Sequence, residues 1–538
     1  MKILVLIAAA SLSWAQTADL AVVHAHIYTV NAKQPQATAL AVKQGLIVSV
    51  SDDVSRFIGS STSVIDAQGA TVIPGLIDSH GHVHDLGDSL EEIDLRGLTS
   101  EPAIVDKVAA VARQRARGEW IFGNAWDQNL WASKQFPDAV ALSAATPDNP
   151  VVLSRIDGHA IWVNRKAMEL ADLNAVSKDP AGGKILRDAA GQPTGVLLDE
   201  AQSLVRRRIP PAPQDQVERR ILLGLNECAR VGLTTVHDAG VGPREIEAYR
   251  SLIRKGQMPI RVYAMIAGSD GSLDWWLAKG PEIGDYLTVR SIKLIADGAL
   301  GSRGAALLEP YADDPGNRGL PILDRAAIRA VAQKAVASGF QLNTHAIGDA
   351  ANRAAIDAYG DVLKGPGVLK SPNDKRFRIE HAQVVAPEDF AKFKQYSVIA
   401  SMQATHATSD MPWAEARLGP ERIKGAYAWR TFLRLGVHVT NGSDFPVESP
   451  NPMLGLYAAI TRSGWTPEQR MSREEALRSW TIEGAYAAFE EGRKGSLEAG
   501  KLADFVMLSD DVMTMPAADI GKTRVTMTVV GGKIVVRQ

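Results

Sequence analysis

Between residues 215 and 444 the chain repeats one pattern: a helical stretch, a short apolar run of strand character, and a polar residue where the run stops. A helix over 215–231 leads into LTTVHDAG (233–240), which closes on His237 and Asp238. IRVYAMIAG (260–268) follows, then LTVRSIKLIADGALGSRGAAL (287–307) with Lys293 and, further on, Asp297. FQLNTHAIGDAA (340–351) ends its strand at His345 and RFRIEHAQVV (376–385) at His381. YSVIASMQATH (396–406) ends in Gln403 and His406, and VHVTNGSDFPVES (437–449) carries Asp444 just past its strand. Strands alternating with helices predict a parallel sheet. Closed into a (β/α)8 TIM-type barrel, such units bring all the strand carboxyl ends to one face, where barrel enzymes keep their active sites. A doubly wound open sheet is the competing arrangement, but no glycine-rich phosphate loop follows any strand.

Upstream, VIPGLIDSHGHVHD (72–85) reads as a buried strand interrupted at Pro74-Gly75 and ending in histidines. Residues two apart on a strand share a face, so His80 and His82 aim the same way. Imidazole suits zinc and similar metals, and two histidines this close form half a site. His84 continues the alternation as a competing ligand. His24 and His26 alternate too, but read as ordinary strand residues, and His237 and His438 as structural ones.

Residues 19–75 and 486–538 are both strand-rich, the second with a Gly-Gly turn. They are read as two parts of one small β-sandwich domain built from both chain ends. The barrel then occupies 76–485, with an insertion around 85–215. Within it GEWIFGNAWDQNLW (118–131) carries three tryptophans and VVLSRIDGHAIWVNRKAM (151–168) reads as strand, then loop, then helix start; such aromatic and polar loops either line a pocket or pack over the barrel mouth, and 171–213 reads as an insertion or lid. Residues 1–15 carry a basic start, an apolar core and small residues before a cut after Ala15, which predicts a signal peptide and export to a periplasmic or secreted location. That apolar run is too short for a membrane span. The single cysteine, Cys228, excludes an internal disulfide and reads as core. A net charge of -2 on 538 residues argues against a nucleic-acid partner.

His80, His82, Lys293, His345, His381 and Asp444 each fall at or just past a strand end. On one face of one barrel they supply nitrogen and oxygen enough for two metals. The pieces PGLIDSHGH, WIFGNAWDQNLW, RIDGHAIWVN, IKLIADGALGSRGAAL, THAIGDAA, IEHAQ, SMQATH, NGSDFP and KGSLEAGKLADFVML run in order through nearly the whole chain. In them it resembles the amidohydrolase superfamily, and within it the family 3 branch that includes N-substituted formamide deformylase-like proteins.

The resemblance implies that His80 and His82 bind the more buried metal and that His345 and His381 hold a second. Lys293, carboxylated by CO2, would bridge the two, because a lysine ammonium has no lone pair of its own. Asp444 would touch the buried metal and shuttle protons. The expected cofactor is a divalent metal, one or two per chain, with zinc favoured by the histidines and manganese, iron or nickel left open. Trp126, His159, Gln403 and His406 are expected to contact a small-molecule substrate, and Asp297 to fix its loop. The activity expected is hydrolysis of a non-peptide C–N bond, an N-formyl or other small amide. Alternatives are a lactone or dipeptide substrate, isomerisation at the same site, or an exported binding protein without turnover. A homodimer through the β-domain is left open.

Overall fold

The computed structural model describes residues 17–538 except 156–159, 181–182 and 365–374. The leader and His159 therefore lie outside the described residues. Eight strands run parallel, each hydrogen-bonded to its neighbour in chain order. They are Leu76–Gly81 (β1), Leu233–Val241 (β2), Arg261–Ala267 (β3), Leu287–Ile295 (β4), Gln341–Ala346 (β5), Arg378–His381 (β6), Ile399–Gln403 (β7) and Val439–Gly442 (β8). Nearly every residue in them is buried, as expected of parallel strands covered on both faces. The first and last strands meet at their carboxyl ends. Asp444 N donates to His80 O at 2.7 Å and His82 N to Phe445 O at 2.9 Å. The sheet thus all but closes into the (β/α)8 barrel read from the alternation.

Sequence signals at the helix ends match what is seen. Asp324 caps Arg325–Ser338 by accepting from Ala327 N at 2.8 Å, and Gly339 ends that helix in the left-handed conformation.

Both chain ends enter the β-sandwich. Thr71–Pro74 pairs in parallel with His26–Tyr28 and antiparallel with Phe505–Leu508, which continues into Val525–Val530 and Lys533–Arg537. A second sheet holds Leu20–Val23, Ala39–Lys43, Leu46–Ser51 and Ser63–Asp66. Leu40, Val42 and Ile65 of this sheet share one core with Ile27, Val72, Phe505 and Val529 of the other. At the junction Gly75 N donates to Asp504 O, so the sandwich hands the chain directly to β1. A Cβ on Gly75 would sit 2.2 Å from Thr234 Oγ1, which only glycine avoids.

The described residues of 84–224 form a second compact unit; those up to 83 and from 225 onward form the first. The segment read as an insertion around 85–215 thus contains a sheet of its own. Ile93–Asp94, Ile121–Trp126 and Val151–Arg155 run parallel; Ala160–Val163, Pro193–Asp199 and Gly183–Arg187 follow antiparallel. Trp126, Trp131 and Trp162 pack with Leu142, Leu153 and the buried side of helix Glu101–Ala112. The tryptophans expected on loops are therefore core residues. Among the described residues no helix is long and apolar enough to cross a membrane.

Candidate metal centre and active site

Six of the strand ends converge at the barrel's carboxyl face. His80, on β1, is wholly buried, and its Nδ1–H donates to Glu380 on β6. That bond leaves the lone pair on Nε2, which receives Lys293 Nζ at 2.9 Å. His82 Nε2 lies 3.1 Å and His80 Nε2 3.6 Å from Asp444 Oδ1. His381 Nδ1 donates to Gln403 Oε1 at 2.8 Å, which leaves its lone pair on Nε2. The rings of His80 and His345 lie 4.9 and 4.4 Å from that of His381. His406 Nε2 stands 3.8 Å from Asp444 Oδ2.

The backbone is bent to make this meeting possible. His381 and Asp444 both have positive φ, 71° and 61°, a conformation that costs a non-glycine residue about 1–3 kcal/mol. Gly442 permits the approach of β8 to β1, since a Cβ there would lie 2.6 Å from His80 N. Beneath, the buried Asp78 carboxylate accepts from His80 N, Ser443 N and Ser443 Oγ, tying the first and last strands together one residue from Asp444. Asp297 accepts from Ala306, Ile347 and Gly348 N at 2.8–3.0 Å and so fixes the loops after β4 and β5, the role read for it from sequence.

Charge states follow from burial and neighbours. Burial and the adjacent Lys293 bring His80 down to about 4, so it is a neutral lone-pair donor at pH 7. Burial brings Lys293 down to about 8. For Asp444 burial opposes ionisation, but the His82 hydrogen bond and surrounding imidazoles outweigh it and hold the carboxyl well below its usual range. The same Asp444 outweighs the burial of His82 and raises that imidazole. Burial, then His345, hold His381 well below its usual value.

Two groups of donors have all their ligand atoms within 4.8 Å of one another: His80, His82 and Asp444, and His381, His406 and Asp444. Among the described residues, the buried Nε2 atoms of His345 and His406 have no hydrogen-bond partner. Buried imidazole nitrogens and a carboxylate at this spacing, some left unpartnered, are the donor set a divalent cation needs. They form the floor of a cavity of about 940 Å³, walled by Leu294, Leu300, Leu323, Val331, Trp413 and other apolar side chains.

His80, His82, Lys293, His345, His381, His406 and Asp444 all line this cavity. Gln403 is not among its lining residues; 3% exposed, it holds His381 instead of facing a ligand. Trp126 is fully buried in the core of the second unit, with its indole N–H on Leu153 O, and has no surface to offer a substrate. His84 belongs to the second unit and pairs with Asp85 at 3.5 Å. His237 is buried against Arg378, and His438 pairs with Glu483. Sequence reasoning missed Glu380, Arg378 and Asp78. The available signal was RFRIEH itself: alternating charged residues inside a strand otherwise read as buried.

The Amidohydrolase family model matches residues 63–536. Similar proteins include Protein LONG AFTER FAR-RED 3 of Arabidopsis thaliana, 33% identical over 96% of this chain and 91% of that one. Putative amidohydrolase YtcJ of Bacillus subtilis is 31% identical over 95% and 98%. N-substituted formamide deformylase of Arthrobacter pascens is 26% identical over 96% and 98%. Among solved structures, an uncharacterized metal-dependent hydrolase from Pyrococcus furiosus superposes with a TM-score of 0.79 at 29% identity, covering 92% of this chain and all of that one.

Proposed function

The chain belongs to the amidohydrolase family, and from that premise we propose that it is a metal-dependent hydrolase of a non-peptide C–N bond, with an N-formyl or other small amide as substrate. The observation that carries the reading is the convergence of His80, His82, His381, His406 and Asp444 on the floor of one apolar-walled cavity, with Lys293 buried against His80. The deformylase relative supports the choice of N-formyl amides.

His80, His82, His381 and Asp444 would hold the cation, zinc by its donor set. Bound there, a divalent cation supplies a Lewis acid for the carbonyl oxygen and lowers the pKa of water to about 7. Asp444, held ionised, takes a proton from the attacking water on a carboxylate oxygen and delivers it to the leaving nitrogen. Glu380 and Gln403 fix the tautomers of His80 and His381, so that each presents a lone pair on Nε2. The apolar walls exclude bulk water from the charges on the floor. Lys293, its neutral form made accessible by burial, is proposed to add to CO2, giving a carbamate and a released proton. Two carbamate oxygens would let the floor hold two cations in place of one. We also propose that residues 1–15 are removed on export, which amino-terminal sequencing of the mature protein would test.

The test is formate release from N-substituted formamides by zinc-loaded protein, beside metal-free protein and Asp444→Asn. Asparagine matches aspartate in shape and tolerates positive φ, so the loss reports the carboxylate's part in metal binding and proton transfer and not backbone strain. The expected result is metal-dependent turnover that falls by about 100-fold or more in Asp444→Asn. Turnover indifferent to both metal and Asp444 refutes the mechanism. Hydrolysis confined to lactones or dipeptides refutes the bond assignment alone.

A further inference from the structure

Resting on the amide-hydrolase reading above, we propose that Asp410 anchors a cationic group of the substrate, so that the preferred amide carries a protonated nitrogen at the far end of an apolar body. A carboxylate with one oxygen held and the other free stands in a cavity wall that offers no basic side chain to balance it. The cavity is lined by two carboxylates, Asp410 and Asp444. Its lysine, Lys293, is buried against His80 on the floor, and among the described residues no arginine lines it. Asp444 belongs to the compact donor groups and Asp410 to neither.

The hydrogen bonds show which oxygen is left for a ligand. Asp410 Oδ2 accepts from Tyr427 Oη at 2.7 Å and from Gln383 Nε2 at 3.3 Å. The same Gln383 amide donates to Tyr427 Oη at 2.8 Å, so the single tyrosine hydrogen goes to Asp410. Among the described residues Oδ1 makes no hydrogen bond, and no lysine or arginine pairs with this carboxylate. Burial raises the Asp410 carboxyl, which means that its charge is poorly solvated where it stands. A cation set against Oδ1 relieves that cost through a charge-assisted hydrogen bond, which is stronger than one from a neutral donor. An anion in the same place would meet the carboxylate unscreened, so the site disfavours substrates that end in a carboxylate.

The anchor is fixed from behind. Gln383 and Tyr427 are both buried. Tyr427 N donates to Gln383 O at 2.7 Å, and Tyr427 keeps a positive φ of 49°, a conformation that persists where the surroundings impose it. Arg462, wholly buried against the rings of Trp429 and Trp465, donates to Tyr427 O at 2.7 Å. Asp410 N donates to His406 O at 2.8 Å and so closes helix Ala404–Ser409, which starts where β7 ends. Asp410 therefore stands one turn of chain beyond His406 on the floor. Leu300, Leu323 and Val331 supply apolar wall for the body of the substrate. Trp413 lines the same cavity, with its N–H on Asp410 O at 3.0 Å, and an aromatic ring close to a carboxylate adds a second attraction for a cation.

The experiment takes zinc-loaded full-length protein at pH 7 and three formamides of matched chain length, ending in an ammonium, a methyl or a carboxylate group. Formate release gives kcat/KM for each in wild type and in Asp410→Asn, which keeps the shape and removes the charge. Wild type is expected to favour the ammonium compound over the methyl one by about tenfold or more, and to take the carboxylate compound worst. Asp410→Asn is expected to bring the ammonium-to-methyl ratio to about one. A merely structural role for Asp410 would lower both rates alike and leave the ratio where it was. That outcome, or a wild-type ratio of about one, overturns the proposal. If Asp410→Asn does not fold, Asp410→Ser is read by the same ratio. Turnover without ammonium preference leaves the hydrolase reading standing and removes only the anchor. If none of the three is turned over, the hydrolase reading fails for these amides, and the ratio is taken from calorimetric dissociation constants on the same loaded protein. The anchor then stands or falls on that ratio alone, and an undetectable affinity for the ammonium compound overturns it.

Discussion

Replacing Glu380 by glutamine should destabilise the barrel and loosen its donor set together. Glu380 and Arg378 are both fully buried. The guanidinium reaches Glu380 Oε2 at 3.0 Å, with its Nε 2.7 Å from Oε1 in a contact too bent for a hydrogen bond. It also donates to Ser79 O, Ser401 Oγ and His237 Nδ1, and so cannot leave. Burial would raise the Glu380 carboxyl, but Arg378 and His80 outweigh it and hold the group well below its usual range. Glutamine keeps the shape, removes the charge and turns an N–H₂ toward a guanidinium or an imidazole N–H. An uncompensated buried charge of this kind costs about 3–5 kcal/mol. Losing the partner that fixes the His80 tautomer should also weaken metal binding by about ten- to a hundredfold. The assay is urea unfolding of metal-free Glu380→Gln and wild type, with a chelator titration of the loaded forms. Because the folded carboxyl is depressed, its contribution is present above the unfolded value near about 4.3 and is lost as pH falls through the folded one. The gap between the two proteins should narrow below about pH 4. A gap under about 1 kcal/mol at pH 7, or one that widens in acid, would refute the argument.

Three further outcomes follow from the geometry. A Cβ on Gly348 would lie 1.9 Å from Ala306 O, where Asp297 draws the two loops together; Gly348→Ala should lose about 3 kcal/mol in urea unfolding, and a neutral result would mean these loops yield freely. With Lys293 brought down to about 8, only its neutral form adds to CO2; at constant dissolved CO2, carbamate-dependent metal uptake by metal-free protein should quicken about tenfold from pH 6 to 7 and level off above 8, and a pH-independent rate would remove the carbamate. Trp126→Ala should open a cavity in the second unit, costing about 3–5 kcal/mol and exposing 84–224 to limited proteolysis; unchanged protease resistance would contradict its place in that core.

The barrel was legible because its strands carry buried, continuous apolar runs that stop at one polar residue each, and because His80 and His82 share a face at spacing two. The fold around the site was harder to read where local signals conflicted. Ile121–Trp126 is broken in its middle by Gly123 and Asn124, so its strand character is weak in the sequence although its residues reach the core. Arg378 and Glu380 escape a reading from sequence because charged side chains are rarely buried; inside the barrel each is matched by the other and by His80, Ser79, Ser401 and His237. Gln403 and His406 were recognised as belonging to the site, but whether each faces a ligand or another side chain depends on β6 and β8, distant in sequence.

The junction at Gly75 bears on how the molecule is made. The strand that delivers His80 begins in a sandwich sheet whose partner, Phe505–Leu508, lies near the far end of the chain. Asp444, which closes the donor set, is likewise a late residue. A ribosome that has released the first two histidines must add 362 more residues before Asp444 emerges to join them. Contacts so distant in sequence fold slowly. The donor set is therefore complete only late in the protein's assembly, once Asp444 has come back against the first strand.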